Sequence, residues 1–429
     1  MPTAALRYHA RPRAGKIEVV ATKPCLTARD LALAYTPGVA APCLAIKDDP
    51  RLAFDYTARG NLVAVVSNGS AVLGLGNLGP LAAKPVMEGK AVLFKVFADI
   101  DVFDLEVKAA SADEFVRVVT ALEPTFGGIN LEDIAAPDCF RIENELQSQV
   151  SIPVFHDDQH GTAIVVAAAI LNAFDLGGKA LGSAQFVVCG AGAAGIACAD
   201  LIIHLGADPA QVVLVDSRGV VHADRDDLSA AKRRLAVRTR RRTLDDAVRE
   251  ADVFIGVSSA DVLTPGMLRT MAAAPVILAL ANPEPEIAPA VARRTRPDAI
   301  VCTGRSDYPN QVNNVLAFPG LFRGALDVRA ARIDLQMKVA ASRALAELTR
   351  EPVPEALWHV YESAARTYGP NHLIPKPLDT RVVPRVAAAV ALSAMDTGVA
   401  RKPLDEPDTY ESDVAGRVAE ASAARPSAC

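Results

Sequence analysis

Several large protein classes are excluded by what this chain lacks. Its 429 residues include seven cysteines, an odd number, scattered and without a C-x-x-C pair. That argues against a disulfide framework or a zinc cage and suits free thiols in a reducing cytoplasm. No stretch reaches the ~18 consecutive apolar residues of a membrane span. The N-terminus, Met1-Pro-Thr-Ala-Ala-Leu-Arg, lacks the apolar segment of a secretory signal. There is no excess of positive charge: the formal net charge is −5, which points to neither nucleic acid nor an anionic membrane as partner. The basic run Arg238-Thr-Arg-Arg-Arg242 reads as a solvated face, and no repeat at a solenoid period is present. The remainder, 51% hydrophobic, is enough chain and enough apolar residue for two domains with real cores.

The richest segment is 186–216. Phe186-Val187-Val188-Cys189 reads as a buried strand and is followed by Gly190-Ala-Gly192-Ala-Ala-Gly195. A helical stretch and a second apolar run, Val212–Val215, come next, ending in Asp216. In this order Gly190 permits a tight turn, Gly192 lets the backbone approach a pyrophosphate, and Gly195 lets helix pack on strand. The helix N-terminus around Ala193 and Ala194 offers free N–H groups to phosphate. An acid such as Asp216 suits a ribose hydroxyl. The pattern predicts a dinucleotide site. A second copy of the spacing, Gly74-Leu-Gly76-Asn-Leu-Gly79, is followed at once by Pro80, with no helix, strand and acid expected after it. It reads as a turn or a substrate-domain loop.

The rest of the chain alternates. Strands are expected at 61–67, 90–96 and 150–155, with a Ser-capped helix over 111–122. A long apolar helix is expected from about Thr162 to Phe174, stopped by Gly177-Gly178. Further buried strands at 252–257, 275–281 and 299–303 fit a parallel, doubly wound sheet. Helices are expected at 333–345 and 383–394. The fold class is therefore α/β: an N-terminal α/β domain over 1–160, a Rossmann-like dinucleotide-binding domain over 161–400, and a loosely ordered polar tail over 401–429.

Two acid pairs, Glu132-Asp133 and Asp157-Asp158, lie before the expected boundary. Converging carboxylates suit hard divalent cations such as Mg²⁺ or Mn²⁺. The plainer alternatives are a helix cap for the first pair and a solvated turn for the second. His156 and His160 have the spacing of a zinc pair, but the residues between them read as a loop leading into a helix, so a structural role is favoured.

Taken together these stretches resemble the malic enzymes, especially the bacterial NADP-dependent type. The likeness runs through most of residues 10–395 and rests on separated blocks in order. These are DLALAYTPGVAAPC from Asp30, VLGLGNLGPLAAKPVMEGKAVLFK from Val72, NLEDIAAP from Asn130, FHDDQHGTA from Phe155, the Gly190 turn, LALANPEPE from Leu278 and QVNNVLAFPG from Gln311. The resemblance implies oxidative decarboxylation of L-malate to pyruvate and CO₂, with NADP or NAD and Mg²⁺ or Mn²⁺. It implies Lys90 as general base, Tyr35 as general acid, and Asp157 as the acid beside the lysine. It implies Glu132, Asp133 and Asp158 as metal ligands, and Asn282 and Asn314 as substrate contacts, with Asn282 also near the cofactor. Lys84 and Lys95 are lower-ranked bases. A homo-oligomer, dimer or higher, and a cytoplasmic location are expected. Relatives of this type often carry a further C-terminal phosphotransacetylase-like domain, and the expectation is a chain without one.

The residue types make sense for this chemistry. Taking the C2 hydroxyl proton needs a base with a pKa near neutrality, which a lysine reaches when buried near positive charge. One departure is Ala71, where many of the family have a carboxylate-clamping arginine; the malate carboxylates then fall to Asn282, Asn314 and the metal. For the cofactor, Asp216 by itself favours NAD, whereas Arg218 just after it can bind a 2′-phosphate, and the resemblance tips the choice to NADP. The alternatives are a metal-dependent oxaloacetate decarboxylase and a non-catalytic nucleotide sensor.

Overall fold

The computed structural model describes residues 2–362 and 365–423. Among them are two sheets, each covered by helices. In the first, β1 (Leu62–Ser67), β2 (Asp101–Glu106), β3 (Gly128–Leu131) and β4 (Val154–His156) are all parallel, in the order β2-β1-β3-β4. The second holds β5 (Phe186–Cys189), β6 (Val212–Asp216), β7 (Gly219–Val220), β8 (Val253–Gly256), β9 (Val276–Ala279) and β10 (Ile300–Thr303). Its order is β10-β9-β8-β5-β6-β7, parallel except for the short edge strand β7. Strands β1, β3, β5, β8 and β9 are buried along their whole length. That is why their sequences run continuously apolar instead of alternating.

One helix, Asp157–Gly177, joins the two sheets. It starts directly after β4, ends on Gly178 in the left-handed conformation (φ +62°), and leads into β5. Phe174 stacks on Phe186 of β5. Asn172 donates to the carbonyls of Ala346 and Leu373 at 3.0 and 2.9 Å. By length and composition this helix could cross a membrane, but 67% of its apolar window is buried in the protein, as expected of a core helix. The helix Phe318–Asp327 is buried at every position from Phe318 to Leu326, and Phe318 and Phe322 meet Phe94 across the first sheet's helical layer.

Several sequence expectations are corrected. Residues 90–96 are not a strand but the second half of the helix Pro80–Ala98. Apolar residues on nearly every position, with Pro85 and Gly89 in the same helix, hid the helical period. This helix and β2 after it, ending in Glu106, give the Gly74–Gly79 loop the helix, strand and acid that the sequence reading denied it. The strand expected at 150–155 is only its last part, β4. The expected loop at Asp157–Gln159 is the first turn of the long helix. The tail is not loosely ordered throughout. Tyr410–Ala423 is a helix with Val414 buried. Tyr410 Oη donates to Asp327 at 2.6 Å, and Arg417 pairs with the same carboxylate at 3.1 Å. The six cysteines among the described residues are all free.

Candidate active site

The helix Pro80–Ala98 delivers Lys90, 6% exposed, to the end of the first sheet. Its Nζ lies 2.6 Å from Asp157 Oδ2 and 2.9 Å from Glu132 Oε1, and 4.3 Å from the centre of the Phe318 ring. Asn314 Nδ2 donates to the same Asp157 oxygen at 2.6 Å. Gly161, one turn along, is required there: a Cβ would sit 1.9 Å from Asp157 Oδ1 and 3.0 Å from Asn314 Cβ. Burial opposes the Lys90 ammonium, but Asp157 and Glu132 outweigh it and hold the pKa above the ordinary lysine value. The same charges cut the other way for the acids. Burial pushes Glu132 up to about 7 and Asp157 up to about 6, against the attraction of Lys90.

Glu132, Asp133 and Asp158 converge, each offering a carboxylate oxygen within 4.8 Å of the others. Glu132 also accepts from Asn130 Nδ2 at 2.9 Å, and Asp158 Oδ2 accepts from the Asp133 N–H at 2.8 Å. Asp133 has φ +54°, a left-handed conformation that is uncommon outside glycine and frequent at functional sites. Its buried Oδ2 has no hydrogen-bond partner. Burial raises the pKa values of both Asp133 and Asp158; Asp158 and Glu132 add to it at Asp133, and at Asp158 the repulsion of Asp157 is set against the attraction of Lys90. Three converging oxygen donors, one of them orphaned, fit a hard divalent cation.

The remaining residues of the sequence reading are placed as follows. Asn282, at the turn after β9, is exposed, and its carbonyl oxygen would be 3.1 Å from a Cβ on Gly74; the first glycine loop therefore abuts the second sheet's turn. The Ala71 N–H donates to the Asp133 carbonyl at 3.0 Å, so Ala71 borders the acid cluster. Lys84 and Lys95 are occupied elsewhere, Lys84 with Asp104 at 2.6 Å and Lys95 with Asp99 at 2.7 Å. His156 is fully buried with neither ring nitrogen partnered, while His160 Nε2 meets Glu143 at 3.0 Å; the two do not form a ligand pair. Tyr35 is not brought to the cluster within this chain: it is 70% exposed at the end of the helix Ala28–Ala34, and none of residues 3–61 is buried.

The Gly190 turn has the shape its spacing predicted. Gly190 has φ +111°, and a Cβ there would lie 2.3 Å from the Val257 carbonyl oxygen. A Cβ on Gly195 would lie 1.8 Å from the Gly190 oxygen. Gly192 faces open space, and the helix Ala193–His204 that it begins has no side-chain cap. Ala193 and Ala194 thus leave their N–H groups free for phosphate. Asp216 carries two partners that the sequence did not reveal: Arg225 at 2.8 Å and Lys232 at 2.6 Å. Burial works against its charge, but their hydrogen bonds hold its pKa at about 2. Arg218 turns outward to Asp227 at 2.9 Å. Only its backbone N–H touches Asp216, at 2.9 Å.

Residues 14–147 match the malic enzyme N-terminal domain family and residues 159–360 the malic enzyme NAD binding domain family. The NADP-dependent malic enzyme of Halomonas elongata is 58% identical over 93% of this chain and 95% of its own. The chain belongs to the malic enzyme family. An NAD-dependent malic enzyme of Rhizobium meliloti is 57% identical over 95% of this chain but only 53% of its own, and the chain spans about half the length of several of the curated malic enzymes it matches. The crystal structure of a malic enzyme from Pyrococcus horikoshii superposes with a TM-score of 0.89 at 42% identity, covering 98% of this chain and 96% of that one. That malic enzyme thus shares this chain's fold as well as much of its sequence.

Proposed function

We propose that the chain oxidatively decarboxylates L-malate to pyruvate and CO₂ with reduction of NADP. The observation that carries this reading is Lys90, held at once by Asp157 and by a member of the three-acid cluster. Glu132, Asp133 and Asp158 would hold Mg²⁺ or Mn²⁺, which when bound supplies a Lewis acid for the charge that develops as CO₂ leaves; the cofactor, seated on the Gly190 turn, supplies the hydride acceptor. Lys90 is the base for the C2 hydroxyl proton. Its ammonium is favoured while Glu132 and Asp157 both pull on it, so neutralising the acid cluster frees the amine to accept a proton. Asp157 fixes the lysine and is itself fixed by Asn314.

Tyr35 is the acid that returns a proton to C3, and we assign it to the site of a second copy of the chain. Its exposure is shared by Leu26, Leu31, Leu33 and Leu44 around it, an apolar surface that a homo-oligomer would cover. Mixing separately inactive Tyr35→Phe and Lys90→Ala chains tests this. Shared sites regain turnover in mixed oligomers; if mixing restores nothing, Tyr35 does not act across subunits.

For the cofactor, the carboxylate that would repel a 2′-phosphate is already tied down by Arg225 and Lys232; with Asp227, which pairs with Arg218 and Arg225, the cations at the end of β6 still outnumber the acids, which favours NADP. Lys232→Ala should raise the KM for NADP about tenfold with little change for NAD, the worth of one charged hydrogen bond. Arg218→Ala should do less. Equal losses for both cofactors would remove Lys232 from this role. Initial rates with malate and Mn²⁺, comparing NADP with NAD, test the whole reading. Cofactor-independent loss of oxaloacetate without malate oxidation would replace it by a decarboxylase.

A further inference from the structure

The first turn of the Asp157 helix has two sides. Asp157 and Asp158 serve the site above, whereas Gln159 and His160 line a separate cavity of about 830 Å³. Its other walls are the helices Asp138–Gln149, Ala193–His204, Ala230–Arg234 and the start of Leu335–Arg350. The volume is that of a small-molecule site, roughly 300–1,000 Å³. Nothing in the proposed reaction uses it.

Two charged side chains at this cavity differ in kind. Glu143 is buried and fully engaged: it accepts from the His156 backbone N–H, Gln147 Nε2, Gln159 Nε2 and His160 Nε2 at 3.0–3.3 Å. Lys338 also lines the cavity, and among the described residues its ammonium has no hydrogen-bond or ion-pair partner; Glu143, Asp334 and Asp200 act on it only at a distance. Placing a cation in a recess without a partner is costly, so such a group is ordinarily matched. Arg234 and Asp200, also at the cavity, pair at 2.6 Å and spend their charges on each other.

The geometry points to a binding site for a small organic monocarboxylate, its charge on Lys338 and its apolar body against Phe140, Ala163 and Leu201. One unmatched cation calls for one negative charge. The buried carboxylate of Glu143, which lines the same cavity, would repel a dianion such as phosphate or a dicarboxylate more than a monoanion. The apolar lining would be wasted on an inorganic ion.

Calorimetric titration of the full chain with hexanoate, in Mn²⁺ and saturating malate without nucleotide, tests the site with the catalytic cleft filled. Hexanoate should bind once per chain, and more tightly than inorganic phosphate. Lys338→Met keeps the aliphatic stem and should weaken hexanoate about tenfold or more. Leu335→Trp, placed at the rim where Leu335 is 42% exposed, narrows the mouth without touching the charge and should weaken it as well. Absence of hexanoate binding overturns the proposal, as does binding that survives both variants, or a preference for phosphate.

Discussion

The chain contains the same six-residue glycine spacing twice, and the two copies meet different physical demands. At Gly190–Gly195 the glycines are needed because atoms crowd them. Cβ atoms at the first and last positions would lie 2.3 and 1.8 Å from backbone oxygens, and only the middle one faces open space. At Gly74–Gly79 the crowding is confined to Gly74, whose Cβ would lie 3.1 Å from the Asn282 carbonyl oxygen. Nothing lies within 4 Å of a Cβ on Gly76 or Gly79, yet all three glycines have positive φ. The first loop is limited chiefly by contact, with Gly190 also at positive φ, and the second chiefly by dihedral angle. The spacing alone cannot tell them apart, because both loops join a strand to a helix.

Substitutions to alanine separate the two kinds. The largest effect is expected at Gly195, where the new methyl meets a backbone oxygen that cannot move without opening the turn. Destabilisation at or beyond the upper end of the roughly 1–3 kcal/mol typical of overpacking, with loss of cofactor binding, should appear in thermal unfolding and nucleotide titration. Gly161 is limited by contact too, but against Asp157, the carboxylate proposed to hold Lys90. In an ordinary helix Gly→Ala would stabilise by about 1 kcal/mol. Here it should instead cost ~10²-fold in kcat, the scale of a 1 Å misplacement, and unchanged turnover would remove Gly161 from the site's support. Gly192→Ala has no clash within the chain. Its Tm should hold while the KM for NADP rises about tenfold, because its methyl occupies the place of the pyrophosphate. Gly76→Ala should be mildest for function: roughly 1–2 kcal/mol of stability for the left-handed backbone, with cofactor affinity unchanged. A large loss of cofactor affinity there would erase the distinction between the loops.

How much could be read in advance follows from where each signal lives. The β5-turn-β6 unit was legible because its demands are local: apolar runs, glycines and a terminal acid at fixed spacing. The acid cluster was legible as two pairs, but that they converge, and that Lys90 joins them, depends on the helix Pro80–Ala98, whose dense apolar content reads equally well as a strand. Family blocks, not periodicity, singled out Lys90 and Tyr35. Arg225 and Lys232 lay beyond sequence reasoning because the edge strand β7, the loop after it and a short helix fold them back onto Asp216. The terminal helix was hidden for a similar reason: its order comes from tertiary partners, above all Asp327, and its own sequence is polar. Lys338 carries no local signal at all; only the cavity gives it meaning.

The helix Asp157–Gly177 is a rod with its two ends in different company. At 21 residues it is roughly 30 Å long. Its far end is clamped to the nucleotide-binding sheet's layer by Asn172 and Phe174, and its near end carries Asp157 and Asp158, opposite Lys90, Glu132 and Asp133 on the other sheet's side. Such a rod is a lever. A tilt of only ~2° about the clamped end would sweep the near end by ~1 Å, enough to change turnover ~10²-fold. The alignment of Asp157 and Asp158 is therefore set as much by what seats the far end of the helix as by the residues that touch them.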